Sequence, residues 1–213
     1  MRPPQSWSRA KVTLGLAAAT ALAWAITSLL GQSEAATIWG GFIPIRLSGL
    51  GGDEMLAPVW LTPLTATFIH AGFFHLAMNL LVFTFCGRSV ENILGLGAMV
   101  VLYVVGAYFA AAAEYVAGPN GVTPMVGASG AVSAVIGAYA MLFGRNRVKV
   151  ANQRLAFWLN ALWLAAAFIL LQLIVGLTFE TSGMRVAVFA HIGGFIAGLI
   201  LTRPLLLWRY RKA

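Results

Sequence analysis

Charge, cysteine and carboxylate are all scarce in this 213-residue chain, and each scarcity excludes something. Charged residues make up 9% of it, where a soluble domain carries about 25%. So few cannot cover a water-facing surface, and a soluble globular fold is excluded. The one cysteine, Cys86, falls inside an apolar run. It can form no intramolecular disulfide and no cysteine-based metal motif, and it reads as a small buried apolar side chain. The carboxylates are Glu34, Asp53, Glu54, Glu91, Glu114 and Glu180. Only Glu114 falls in an apolar run, near its end, so a membrane-embedded Ser-His-Asp triad cannot be assembled. A continuous basic stripe is missing too. Lys and Arg bring the net charge to +8, but they sit in short clusters between apolar runs. A nucleic-acid partner would need such a stripe along one element.

What the chain does have is hydrophobic residues, 60% of the total, gathered in long runs. A helix needs about 20 apolar residues to cross a bilayer. Six runs are expected to do so: Val12–Leu30, Leu64–Phe85, Leu94–Tyr115, Ser129–Phe143, Leu155–Leu177 and Val186–Leu207. The fourth is short and is extended upstream by Met125–Gly127. The first is longer than a typical signal-peptide core and reads as a retained helix. The expected fold is therefore an all-α, multi-pass membrane protein with lipid as its main solvent.

The loops set the expected orientation through their Lys/Arg bias. With the N-terminus in the cytoplasm, Arg2, Arg9, Lys11, Arg88, Arg145, Arg147, Lys149, Arg154, Arg203, Arg209, Arg211 and Lys212 fall inside. Arg46 and Arg185 fall outside. This split fits six spans with both termini cytoplasmic, and any odd number of spans would break it. The expected organisation is a cytoplasmic N-terminus over 1–11, one membrane domain over 12–207 and a basic cytoplasmic tail over 208–213. The outer loop at 31–62 carries Trp39, Phe42 and Trp60, which place it in the lipid interface.

Polar groups inside a span are expensive and mark function. The three histidines, His70, His75 and His191, all fall in predicted spans, and Asn79 shares the second span with two of them. His75 and Asn79 are four apart and share one helical face, while His70 is turned off it. Ser129 opens the fourth span and His191 lies near the start of the sixth. At about 1.5 Å per residue, His191 lies roughly 8 Å deep, and Ser129, His75 and Asn79 fall near the same level. Ser129 sits in Gly127-Ala128-Ser129-Gly130. The glycines allow close backbone approach, and the free N–H groups of a helix N-terminus suit an oxyanion. A serine nucleophile needs a base, and His191 is at the right depth. The histidines lack the paired spacing of a metal site, and no metal is expected. Small residues recur at Ser129, Ser133 and Gly137, and at Ala190, Gly194 and Gly198. Such strips let helices approach closely, and pairing them would bring Ser129 to His191.

The segments His70-Ala-Gly-Phe-Phe-His75-Leu-Ala-Met-Asn79, Gly127-Ala-Ser129-Gly130 and Ala190-His191-Ile-Gly-Gly194-Phe-Ile-Ala-Gly198 resemble, in order and in topology, the rhomboid family of intramembrane serine proteases. Gly87, Glu91 and Gly95, at the turn into the third span, resemble a further family pattern. The resemblance covers residues about 40 to 200. It implies a six-helix rhomboid-like bundle with Ser129 as nucleophile and His191 as general base. It implies that His75, Asn79 and the Ser129 backbone N–H stabilise the oxyanion, with His70 as a supporting polar residue. Gly127, Gly130, Gly194 and Gly198 would support the site by close packing. Substrates would be single-span membrane proteins, and catalysis would need no cofactor. The compact form suggests a bacterial inner membrane. Two positions depart from the family pattern. Leu61 and Thr62 stand where many members carry Trp-Arg. Ser133 stands where many carry an aromatic stacked on the histidine, so His191 needs another partner, such as a hydroxyl. The rival readings are a catalytically silent relative that binds membrane clients, and a small transporter using the three histidines.

Overall fold

Apolar runs of this length leave the backbone no partner in lipid except itself, so helices are the expected outcome. The computed structural model describes residues 7, 9–49, 56–144, 152–181 and 186–211. Arg2, Arg145, Arg147, Lys149, Arg185 and Lys212, all used above to assign orientation, lie outside the described residues, as do Asp53 and Glu54. Eight α-helices are found among the described residues: α1 (Lys11–Leu29), α2 (Ser33–Gly40), α3 (Thr62–Thr65), α4 (Phe73–Leu94), α5 (Leu96–Ala117), α6 (Ser129–Phe143), α7 (Gln153–Thr181) and α8 (Val188–Arg209). Five of these, α1, α4, α5, α7 and α8, are long and apolar enough to cross a membrane. The shorter α6 is the sixth member of the bundle. At about 1.5 Å per residue its fifteen residues reach only about 22 Å, so its ends fall short of a hydrocarbon core about 30 Å thick.

The centre of the bundle is α6. Gly130, Ala131, Val132, Ser133, Ala134, Val135, Gly137 and Ala138 are all buried along it, and α4, α5 and α8 pack around it. The closest approach is between α6 and α8, through glycine. A Cβ on Gly194 would strike the Gly130 carbonyl oxygen, and one on Gly198 would strike that of Ala134. One on Gly137 would strike the Phe195 carbonyl oxygen. The α8 strip is the one expected from the sequence. On α6, Gly130 and Ala134 join Ser133 and Gly137 in the contact.

The second span departs from expectation. Its helix runs from Phe73 to Leu94, not from Leu64 to Phe85. Three threonines favour short turns in the stretch before it. Thr62 and Thr67 hydroxyls donate to the carbonyls of Val59 and Leu64, each at 2.7 Å, and Thr65 reaches the Gly40 carbonyl at 2.6 Å. Hydroxyls that bond nearby carbonyls favour short turns over a long helix. Residues 62–68 accordingly form α3 and a short 3₁₀ turn. His70 therefore lies in the bend before α4, not within a span.

The far end of α4 persists because its polar residues are partnered. Glu91 is 1% exposed. Its carboxylate accepts the backbone N–H groups of Val12 and Thr13, both at 2.8 Å, and the Thr13 hydroxyl at 2.6 Å. It thus satisfies the open N-terminus of α1, where negative charge is favoured. Gly95 then turns the chain into α5 with φ +86°, a left-handed conformation that side chains resist.

Among the described residues between α1 and α3, Phe42 is one anchor. It is buried and pairs with Met125 in an isolated antiparallel bridge. Trp39 and Trp60 stay exposed. The bridge ties this segment to the stretch that leads into α6.

Candidate functional site

Ser129 is the first residue of α6, where backbone N–H groups have no partner within the helix. The chain leading to it is clamped from several sides. Met125 is bridged to Phe42, and the Gly127 N–H donates to the Ala66 carbonyl at 2.9 Å. The Ala128 N–H donates to Nε2 of His70 at 3.3 Å. His70 thus holds the backbone immediately before Ser129. Gly127 has φ +114°, and a Cβ there would lie 2.6 Å from Cε1 of His75. Only glycine meets both demands, and its bareness leaves room for the His75 ring. A cleft opens beside Ser129, lined by Thr67, Met125, Gly127, Ala187 and Ala190.

His191 comes from the first turn of α8. Its Nε2 lies 2.7 Å from the Ser129 Oγ, a hydrogen bond between two residues that are 62 apart in sequence. The approach of α8 to α6 makes this possible, because glycine at 194 and 198 removes the side chains that would hold the helices apart. The N-terminus of α8 is also tied to α5: the Ala190 N–H donates to the Glu114 carboxylate at 3.2 Å. The imidazole's other nitrogen, Nδ1, lies 2.8 Å from Oε1 of Gln172 on α7. The partner on that side is an amide, not a hydroxyl.

The remaining predicted residues are placed as follows. His75 is in the first turn of α4, its ring centroid 5.0 Å from that of His70. Asn79 is buried one turn further along, and its Nδ2 donates to the His75 carbonyl at 2.9 Å. An amide nitrogen carries two protons, so one donor of Asn79 is left over. Gly130 packs against Ala110 and the Ala190 carbonyl, and Gly194 and Gly198 lie along the α6–α8 contact. Ser129, His191, His75, Gly127 and His70 are thus brought together, whereas Gly194 and Gly198 act at a distance through packing.

Gln172 stands outside the sequence-derived set. The signal was available: between Leu155 and Thr178 the only amide side chains are Asn160 and Gln172, and an amide in a span is costly. Nothing in the sequence tells which of the two faces the histidine.

The comparisons with known proteins point the same way as these positions. The family model described as the Rhomboid domain matches residues 58–208. The rhomboid protease GluP of Bacillus subtilis is 29% identical over 146 residues, 68% of this chain and 26% of that protein. The rhomboid protease GlpG of Serratia proteamaculans is 31% identical over 136 residues, 63% of this chain and 44% of that protein. That of an Enterobacter species is 28% identical over 192 residues, 89% of this chain and 61% of that protein. The chain thus spans less than two thirds of the length of each of these relatives. The family match covers more than half of the chain and includes every element that carries Ser129, His191 and their neighbours: the protein belongs to the rhomboid family.

Proposed function

We propose that this protein is an intramembrane serine endopeptidase that cuts single-span membrane proteins in or near their transmembrane segment. The observation that carries the reading is the 2.7 Å contact between Ser129 Oγ and His191 Nε2, within hydrogen-bond reach for a nucleophile and its base. Ser129 passes its hydroxyl proton to Nε2 as Oγ attacks the peptide carbonyl carbon. The resulting oxyanion is met by the Ser129 N–H, by His75 and by the free donor of Asn79. The tetrahedral intermediate collapses, the C–N bond breaks, and Nε2 returns the proton to the leaving amine. Water, activated by the same nitrogen, then hydrolyses the acyl-enzyme. No step calls for a metal or cofactor.

The substrate class follows from the setting of the dyad. Both residues sit at the ends of helices that pack into a membrane bundle, so a peptide bond must reach them from a neighbouring helix. A bond inside an intact helix is shielded, and substrates with small or proline residues at that level would unwind most easily. The outer segment with Trp39 and Trp60 would lie in the lipid interface on that side. The protein would sit in a bacterial inner membrane with the dyad near its outer face.

The test is labelling of the purified protein in detergent with a fluorophosphonate probe, beside Ser129→Ala and His191→Ala. Wild type should label, and both variants should not. A folded wild type that fails to label, beside a working control, would favour a silent relative that binds membrane clients without cutting them.

A further inference from the structure

We propose that Gln172 is the positioning residue for His191, holding its proton on Nδ1 so that Nε2 is free to accept from Ser129. This rests on reading Ser129 as nucleophile and His191 as its base. A neutral imidazole carries one N–H, on either nitrogen, and the partner of one nitrogen decides the state of the other. The Gln172 carbonyl oxygen can only accept. At 2.8 Å from Nδ1 it selects the tautomer with Nδ1 protonated and leaves the Nε2 lone pair facing the Ser129 Oγ. The opposite tautomer would point an N–H at Ser129 and could take no proton from it.

The packing of α7 on α8 explains how one amide can hold this register. Residues 168, 172 and 176 lie on one face of α7. One turn on one side of the Gln172–His191 contact, Phe168 stacks on Phe195 with centroids 4.0 Å apart and planes 5° from parallel. One turn on the other side, Gly176 meets Val188, with so little room that a Cβ would lie 2.6 Å from Cγ2. The amide is therefore fixed between two packed rungs. This matters because α7 faces mostly outward: among its described side chains only Asn160, Ala161 and Phe168 are buried. Ser133, one turn after Ser129, offers no aromatic ring to lie on the imidazole, so its orientation falls to the acceptor on Nδ1.

The experiment uses the full chain in detergent, with histidine labelled with nitrogen-15 and the His191 signals assigned by their loss in His191→Ala. Spectra are recorded for wild type, Gln172→Leu and Gln172→Glu, and the initial rate of fluorophosphonate labelling is measured on the same samples. Wild type should carry the His191 proton on Nδ1. Gln172→Leu should shift it toward Nε2 and slow labelling roughly 10–100-fold, up to the low end of the about 100–10,000-fold that general-base catalysis supplies, with an unchanged melting temperature. Gln172→Glu, an acceptor of the same length, should return the proton to Nδ1 and recover most of the rate. A wild-type His191 protonated on Nε2 overturns the proposal. So does an unchanged tautomer in Gln172→Leu, or a Gln172→Glu variant no better than Gln172→Leu. If the tautomer shifts as expected but not even wild type reacts with the probe, the positioning role stands and the protease reading falls.

Discussion

At the scale of single residues, the site divides donors from acceptors. Ser129 and His191 share one hydrogen bond, and losing either should abolish turnover. Asn79 is different, because one of its protons is already committed to the His75 carbonyl. On the proposed mechanism it offers one donor to an oxyanion, beside those proposed for His75 and the Ser129 N–H. Asn79→Ala should therefore slow probe labelling or substrate cleavage less than Ser129→Ala does, on the order of 10–1000-fold. An Asn79→Ala variant as inactive as Ser129→Ala would mean that the amide holds the fold of α4 and not the transition state. Much of this set was conspicuous beforehand, because the chain has only three histidines and all fall near apolar runs. Gln172 was less so. Its significance lies in facing His191, which depends on the register of α7 against α8, and that register depends on an aromatic stack and a glycine contact that sequence spacing does not encode.

At the scale of elements, two carboxylates and three glycines hold the helices to one another. Glu91 caps α1 from α4, and Glu114 accepts from the start of α8. Each satisfies backbone N–H groups that would otherwise be left open in a region poor in water. The α6–α8 contact is made by Gly137, Gly194 and Gly198, each facing a backbone atom of the other helix. Gly198→Val must push the Ala134 carbonyl aside, and backbone yields less readily than a side chain. It should cost at least about 1–3 kcal/mol, read as a lower midpoint in detergent unfolding, with loss of labelling as His191 leaves Ser129. A variant with unchanged stability would refute the packing role. The short turns at 62–68 are the element that periodicity misplaced. A run of apolar residues cannot reveal that three threonine hydroxyls will bind carbonyls and favour short turns before Phe73.

At the scale of the whole molecule, the Lys and Arg bias of the sequence predicts one orientation for the bundle of apolar helices. Lys and Arg resist transfer across the membrane; α8 ends on Arg209, and Arg211 follows it. Both termini should therefore lie in the cytoplasm. A fluorescent protein that folds only in the cytoplasm, fused after Ala213, should be bright, while an alkaline phosphatase fused at the same point should be inactive. The reverse pattern would invert the assigned orientation and place Ser129 toward the cytoplasmic side.

What the sequence determined by itself was the solvent, the approximate count of spans and the candidate chemistry. The first two follow from composition and run length, which act locally and need no partner, and the third from short motifs, their depth in the spans and their resemblance to a family. The pairing of Ser129 with His191 was foreseeable as a possibility, because both segments carry small residues at helical spacing. Tertiary structure alone decided the rest. It moved His70 out of a span and against the Ala128 N–H. It set a bare Gly127 beneath His75, and it brought an amide from α7 to the far nitrogen of His191. Each of these is a contact between residues distant along the chain. Such contacts depend on helix register and backbone approach to within a fraction of an ångström, and no pattern along a single strand of sequence carries that information.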